Sequence, residues 1–249
     1  MIVDAPRRRR TDLRVLALLD ASRQSLAALR AATEFASQRR AELVALYVED
    51  QDLLRSADFP FAREVGGHSG LARPLSPAEM QVTLAGQLQR ARRALEAAVA
   101  GRDLAHSLQV SRGRVVNAAL ALADRGDLLV LGKAGLSAHY SGARLGSNCR
   151  ALILQAPCTV LVLDAHHPPR KGPLRVLSEP VPEEVQALPL CDRVEHLQLH
   201  DALSLERKLA GARSGALLLR QGELRQLTAD DPDLLARIPV PVIVVPDPR

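Results

Sequence analysis

A chain of 249 residues has room for one large domain or two small ones, and an apolar share of 47% is enough for a packed core. Aromatic residues make up only 2% and tryptophan is absent, so the core must be built from Leu, Val and Ala. That suits helices packed on a parallel sheet and argues against the aromatic stacking platforms that grip single-stranded nucleic acid.

The net charge of +5 is uneven: residues 1–164 carry 22 basic against 16 acidic side chains, and the remainder 11 against 12. Residues 1–11 read as a basic arm containing Arg7–Arg10. A solvated tail is the plainer reading, and a grip on nucleic acid or an anionic membrane the sharper one. Residues 13–19 read as a first strand ending in Asp20. Ser22 can cap a helix over 23–38, with Leu26, Leu29, Ala32 and Ala36 on one face. Residues 41–48 read as a second strand ending in Val48. Residues 51–75, with Pro60, Gly66, Gly67 and Gly70, read as a long irregular connection, either a lid or plain disorder.

Ser76, Pro77 and Glu79 form a helix start with an N-cap, a proline at the first position and a capping-box acid. This helix runs to Ala100 and stops at Gly101. A third strand over 106–110, a third helix over 115–123 and a buried strand over 128–131 follow. No apolar run approaches the roughly 18 residues that a membrane span needs. Cys149, Cys158 and Cys191 are odd in number and form no CxxC pair, which fits a reducing, cytoplasmic setting. Cys149 reads as a small buried hydrophobe before a stabilised thiolate. The seven histidines show no metal-ligand spacing, and no metal site is assigned.

After the fourth strand comes a loop with Gly132, Gly135 and the pair Gly146-Ser147, then a helix over 148–155 capped by Ser147. The strand Thr159–Leu163 closes the series. A glycine loop entering a helix N-terminus is an anion site in waiting, since free N–H groups and the helix dipole point at one spot. The run GKAG…GS followed by APCTVLVL resembles the end of a universal stress protein domain. The resemblance covers residues 12–164 and includes Asp20, Val48 and Gly113. It implies a Rossmann-like five-stranded parallel sheet flanked by helices. It also implies an adenine-nucleotide site, for ATP with Mg2+, made of Asp20, Val48, Gly132, Gly135, Gly146 and Ser147. The loop's Lys133 would add charge. Between Gly135 and Gly146 this chain has ten residues where the family has nine.

Residues 165–172 read as a proline-bearing linker. Residues 173–249 read as a smaller, degenerate α/β repeat of the first unit, with strands at 174–177, 194–199, 216–219 and 240–245, and helices at 181–188, 203–212 and 231–238. Its Arg220-Gln221-Gly222-Glu223 has one glycine and no closing Gly-Ser, so phosphates have no cradle there. Family members often dimerise through their last strands. The resemblance therefore implies either a homodimer or an intramolecular pseudo-dimer, the latter with Thr159–Leu163 beside Val242–Val245.

Two functions compete: a nucleotide-binding regulatory module without dedicated catalysis, and a non-nucleotide stress-response protein acting through a protein partner. An ATP pyrophosphatase needs a glycine-rich loop after the first strand. The residues there, from Asp20 to Ser25, contain no glycine.

Overall fold

The computed structural model describes residues 13–65, 69–135, 144–199 and 201–248. The expected basic arm, Arg7–Arg10 included, lies outside them.

Among the described residues, the first half alternates strand and helix: β1 (Arg14–Leu19), α1 (Arg23–Arg39), β2 (Glu42–Asp50), α2 (Gln51–Ala57), β3 (Arg63–Val65), β4 (Ala72–Pro74), α3 (Pro77–Val99), β5 (His106–Gly113), α4 (Val115–Leu122), β6 (Leu128–Gly132), α5 (Ser147–Gln155) and β7 (Thr159–Leu163). The second half contributes β8 (Gly172–Val176), α6 (Glu183–Gln186), β9 (Cys191–His196), α7 (Ala202–Leu209), β10 (Ala216–Arg220), α8 (Gln221–Leu227), α9 (Leu234–Arg237) and β11 (Val242–Val245).

Two of the three N-caps read from sequence are present. Ser22 accepts from the Ser25 N–H at the start of α1, and Ser76 from the Glu79 N–H at the start of α3. The described part of the 51–75 connection is not irregular. Asp50 accepts from the Asp52 N–H and starts α2, and β3 and β4 pair antiparallel beyond it. A capping carboxylate followed by Gln-Asp-Leu-Leu is a helix start that the glycines downstream obscured. In the second half, α8 stands where the sequence reading assigned no helix. Arg14, which interrupts the first apolar run, lies at the amino end of β1 and donates to Asp127 at 2.6 and 3.0 Å and to Asp124 at 3.1 Å.

Nine strands form one sheet in the order β5-β2-β1-β6-β7-β11-β10-β8-β9. Neighbours within each half are parallel, as repeated strand–helix–strand connections allow. The exception is the central pair: β7 and β11 run antiparallel, with Val162 opposite Val242 and Val160 opposite Val244. The strands of the two halves therefore point in opposite directions.

Both faces are covered. One apolar cluster joins α1, α3 and α6 to the sheet, and the other joins α4, α5, α7, α8 and α9. Each cluster draws on strands from both halves, so the core is continuous across the β7–β11 seam. The strands read as unbroken apolar runs (VLVL, LLVL, VIVV) because both faces are buried.

Candidate functional site

In an open parallel sheet, ligands sit beyond the carboxyl ends of the strands where the strand order reverses. Here β1 is that point, since the chain goes from β1 to β2 on one side and from β5 back to β6 on the other. A cleft of about 140 Å³ opens there. Its floor is the ends of β1 and β6 (Leu18, Leu19, Leu131), and Val48 and Val115 form one wall. Asp20, Gly132, Gly135, Gly146 and Ser147 line the rest. Six of the seven residues expected at the site thus meet in one place.

The reasons are local. Asp20 follows β1 directly, and its Oδ1 accepts from the Ser22 N–H at 2.9 Å while its own N–H donates to Ser25 Oγ at 3.3 Å. This turn requires Ala21 in the left-handed region, at φ 60°. Gly132 is small because α1 crosses it: a Cβ there would lie 2.8 Å from the backbone of Gln24. At Gly135 a Cβ would lie 2.7 Å from Asp20 Oδ2, so this glycine lets the aspartate and the loop backbone approach each other.

The two ends of the loop meet. The Gly146 N–H donates to the Lys133 carbonyl at 2.8 Å. A Cβ on Gly146 would come within 3.5 Å of the Gly135 nitrogen. The ten-residue span between the two glycines therefore brings its ends together, whatever its extra residue does.

The helix begins one residue earlier than the sequence suggested. Gly146 is the N-cap of α5 and Ser147 is the first helical residue, with no side chain capping the N-terminus. A glycine N-cap offers no hydroxyl, so the N–H groups of the first turn face the cleft without a side-chain acceptor. Ser147 and Asn148 are exposed at its mouth.

Lys133 is not brought to the cleft. It is buried, its ammonium bonds the Ile238 carbonyl of the second half, and it stands 3.7 Å from Asp164 Oδ2. Burial lowers its pKa, and Asp164 opposes that shift. Burial of Asp164 would raise the carboxyl, but donors outweigh it: the His166 N–H, the His167 ring, the Gln24 amide and Lys133 hold it at about 2. Burial pushes the Cys149 thiol up to about 12, so it is a wall of the cleft and not a thiolate.

Sequence reasoning missed Ser25, Val115 and Asn148, which also line the cleft. Ser25 carried a signal, since it lies in the first turn of a capped helix beginning at the end of β1. The others belong to the cleft through tertiary packing alone. Among the described residues, no group of three or more His, Cys, Asp or Glu side chains is placed to hold a metal ion. No described helix is long and apolar enough to cross a membrane.

The model of the universal stress protein family matches residues 13–164. Among solved structures, a universal stress protein from Archaeoglobus fulgidus DSM 4304 is 12% identical, over 94% of this chain and 96% of its own, at a TM-score of 0.54. The universal stress protein UspA from Lactobacillus plantarum is 24% identical, over 61% of this chain and 97% of its own, at a TM-score of 0.44. No curated protein sequence matches the chain.

Proposed function

The chain belongs to the universal stress protein family, and from that premise we propose that residues 12–164 bind an adenine nucleotide, ATP with Mg2+, as a cytoplasmic regulatory module without dedicated catalysis. One observation carries the reading: the glycine loop closes against the open N-terminus of α5, beside Asp20 and Val48, in a single cleft. The phosphates would lie against the N–H groups of Gly146, Ser147 and the residues that follow, where free donors and the helix dipole act together. Asp20 Oδ2 would accept from a ribose hydroxyl. The nucleoside would rest on the apolar wall of Val48 and Val115. Asp20 is the one carboxylate among the described lining residues, and Cys149 is held as the neutral thiol. That lining supports binding over bond-making.

Residues 173–249 read in the same proposal as a shortened second unit, standing where a dimer partner would stand. Strand order supports this: β9-β8-β10-β11 repeats β2-β1-β6-β7, without a counterpart of β5.

Calorimetric titration of the full chain with Mg-ATP, with AMP and Gly146→Asp as controls, tests the nucleotide reading. Saturable heat with the wild type and none with the variant is the expected result. A folded wild type that gives no heat would sink it. A second reading, action through a protein partner, draws on the apolar side chains exposed along the excursion between β2 and α3: Phe59, Phe61, Val65 and Leu71.

A further inference from the structure

We infer that the second half holds the two ends of the first half's glycine loop in place, at Lys133 and at Leu145, so that the loop's affinity for its ligand is set across the β7–β11 seam. The inference rests on the nucleotide reading for its ligand, but its structural part does not.

Topology creates the opportunity. Because β7 and β11 are antiparallel, the segment leading into β11 lies beside the carboxyl ends of β6 and β7, the edge that carries the cleft. Residues of that segment hold the loop at both ends. At the entry, Lys133 directly follows Gly132 and its ammonium bonds the Ile238 carbonyl. At the exit, the Leu145 N–H, one residue before Gly146, donates to Asp233 Oδ1 at 3.1 Å. The same oxygen accepts from Arg150 on α5 at 2.8 Å. The Leu145 side chain is buried in the cluster that also contains Leu234, Leu235 and Ile238. One short segment, 233–238, thus fastens the start of the loop, its end and the helix that follows.

The arrangement is reciprocal, which marks it as part of the architecture. Gln221 directly follows β10 as Lys133 directly follows β6. Its amide donates to the Ala156 carbonyl at 3.0 Å. Ala156-Pro157 leads into β7 as Ile238-Pro239 leads into β11. Each half therefore reaches from the residue after its next-to-last strand to the carbonyl before the other half's last strand. Among the described residues, only the first half's loop receives the Asp233 contacts. Asp233 and Lys133 are positioning residues: neither lines the cleft.

The test uses the full chain and the variants Asp233→Ala and Asp233→Asn, the latter keeping a carbonyl acceptor for Leu145 and Arg150. Amide hydrogen exchange without nucleotide is read at Leu145 and Gly146, with the β1 amides as internal reference. Mg-ATP affinity is then read by calorimetry. Asp233→Ala should speed exchange at the two loop amides alone and weaken Mg-ATP about tenfold, the scale of one lost hydrogen bond to a charged group. Asp233→Asn should retain both properties, which a generally destabilised fold would not predict. Unchanged loop exchange in Asp233→Ala would overturn the inference whatever the nucleotide does. Unchanged affinity, in protein whose wild type binds, would overturn it as well. A wild type that binds no nucleotide would overturn only the functional reading, while faster loop exchange would still support the brace.

Discussion

The two halves carry the same strand-to-helix connection at the same place in the sheet, after β6 and after β10, and treat it in opposite ways. After β6 a loop from Gly132 to Gly146 precedes α5, and among the described residues no side chain caps the helix. After β10 the helix starts at once, and its N-terminus is filled by the chain's own carboxylates. Glu223 accepts from the Arg220 N–H at 2.7 Å, and Asp247 accepts from the Gly222 N–H at 2.9 Å. An acid that is covalently present satisfies the orphan donors that a phosphate would otherwise meet. A helix N-terminus thus becomes an anion site only where the protein leaves it unsatisfied.

The sharpest way to break this comparison is Gly146→Asp. A Cβ at this position would lie 3.3 Å from the Ala134 Cα and 3.4 Å from the Lys133 carbonyl, and the carboxylate would occupy the open N-terminus. The first connection would then resemble the second, and calorimetry should show nucleotide binding abolished. Opening the second connection is the converse experiment. Glu223→Gln combined with Asp247→Asn should produce no second binding event, because a short connection cannot close around phosphates; a new saturable signal would show that carboxylates alone distinguish the halves.

Next in size, Gly132→Val drives a side chain into α1 at Gln24 and should cost about 1–3 kcal/mol in urea unfolding, as overpacking does. The second half's self-filled N-terminus predicts that Glu223→Ala costs about 1 kcal/mol by the same measurement. Ser147→Ala should leave stability unchanged, because Ser147 caps nothing, and weaken nucleotide by a few-fold.

Acid sharpens the comparison at the join. Asp164 titrates at about 2 in the folded chain, below its ordinary 3.8, so the unfolded chain binds its proton first as pH falls. Its stabilisation is complete above about pH 4 and is lost on descending toward pH 2. An Asp164→Asn variant should therefore show a flatter stability curve in that window, read by thermal unfolding.

Much of the first half could be read from the chain alone, because its signals are local. Ser22, Ser76 and Pro77 announce helices, apolar runs announce doubly buried strands, and Gly135 with Gly146-Ser147 announces a loop that must pack tightly. Even the β7–β11 pairing was expected, from the resemblance to a family whose members often dimerise through their last strands. What could not be read depends on contacts between distant residues. Lys133 sits in a loop where a cation should meet phosphate, yet Ile238 and Asp164 claim it. Asp233 carries no motif, and only the antiparallel seam brings it to Leu145. The helix α8 follows its strand without a turn residue, with Gly222 in its first turn, so propensity argues against it. Burial of Leu224 and Leu227 overrides that preference.

The seam has a further consequence. Two separate chains joined edge to edge come apart on dilution, at a concentration fixed by their affinity. Strands β7 and β11 belong to one polypeptide, so their encounter is intramolecular and its effective concentration is fixed by the covalent connection and not by how much protein is present. The cleft, and the segment that braces it, should therefore be as well formed in a nanomolar solution as in a concentrated one.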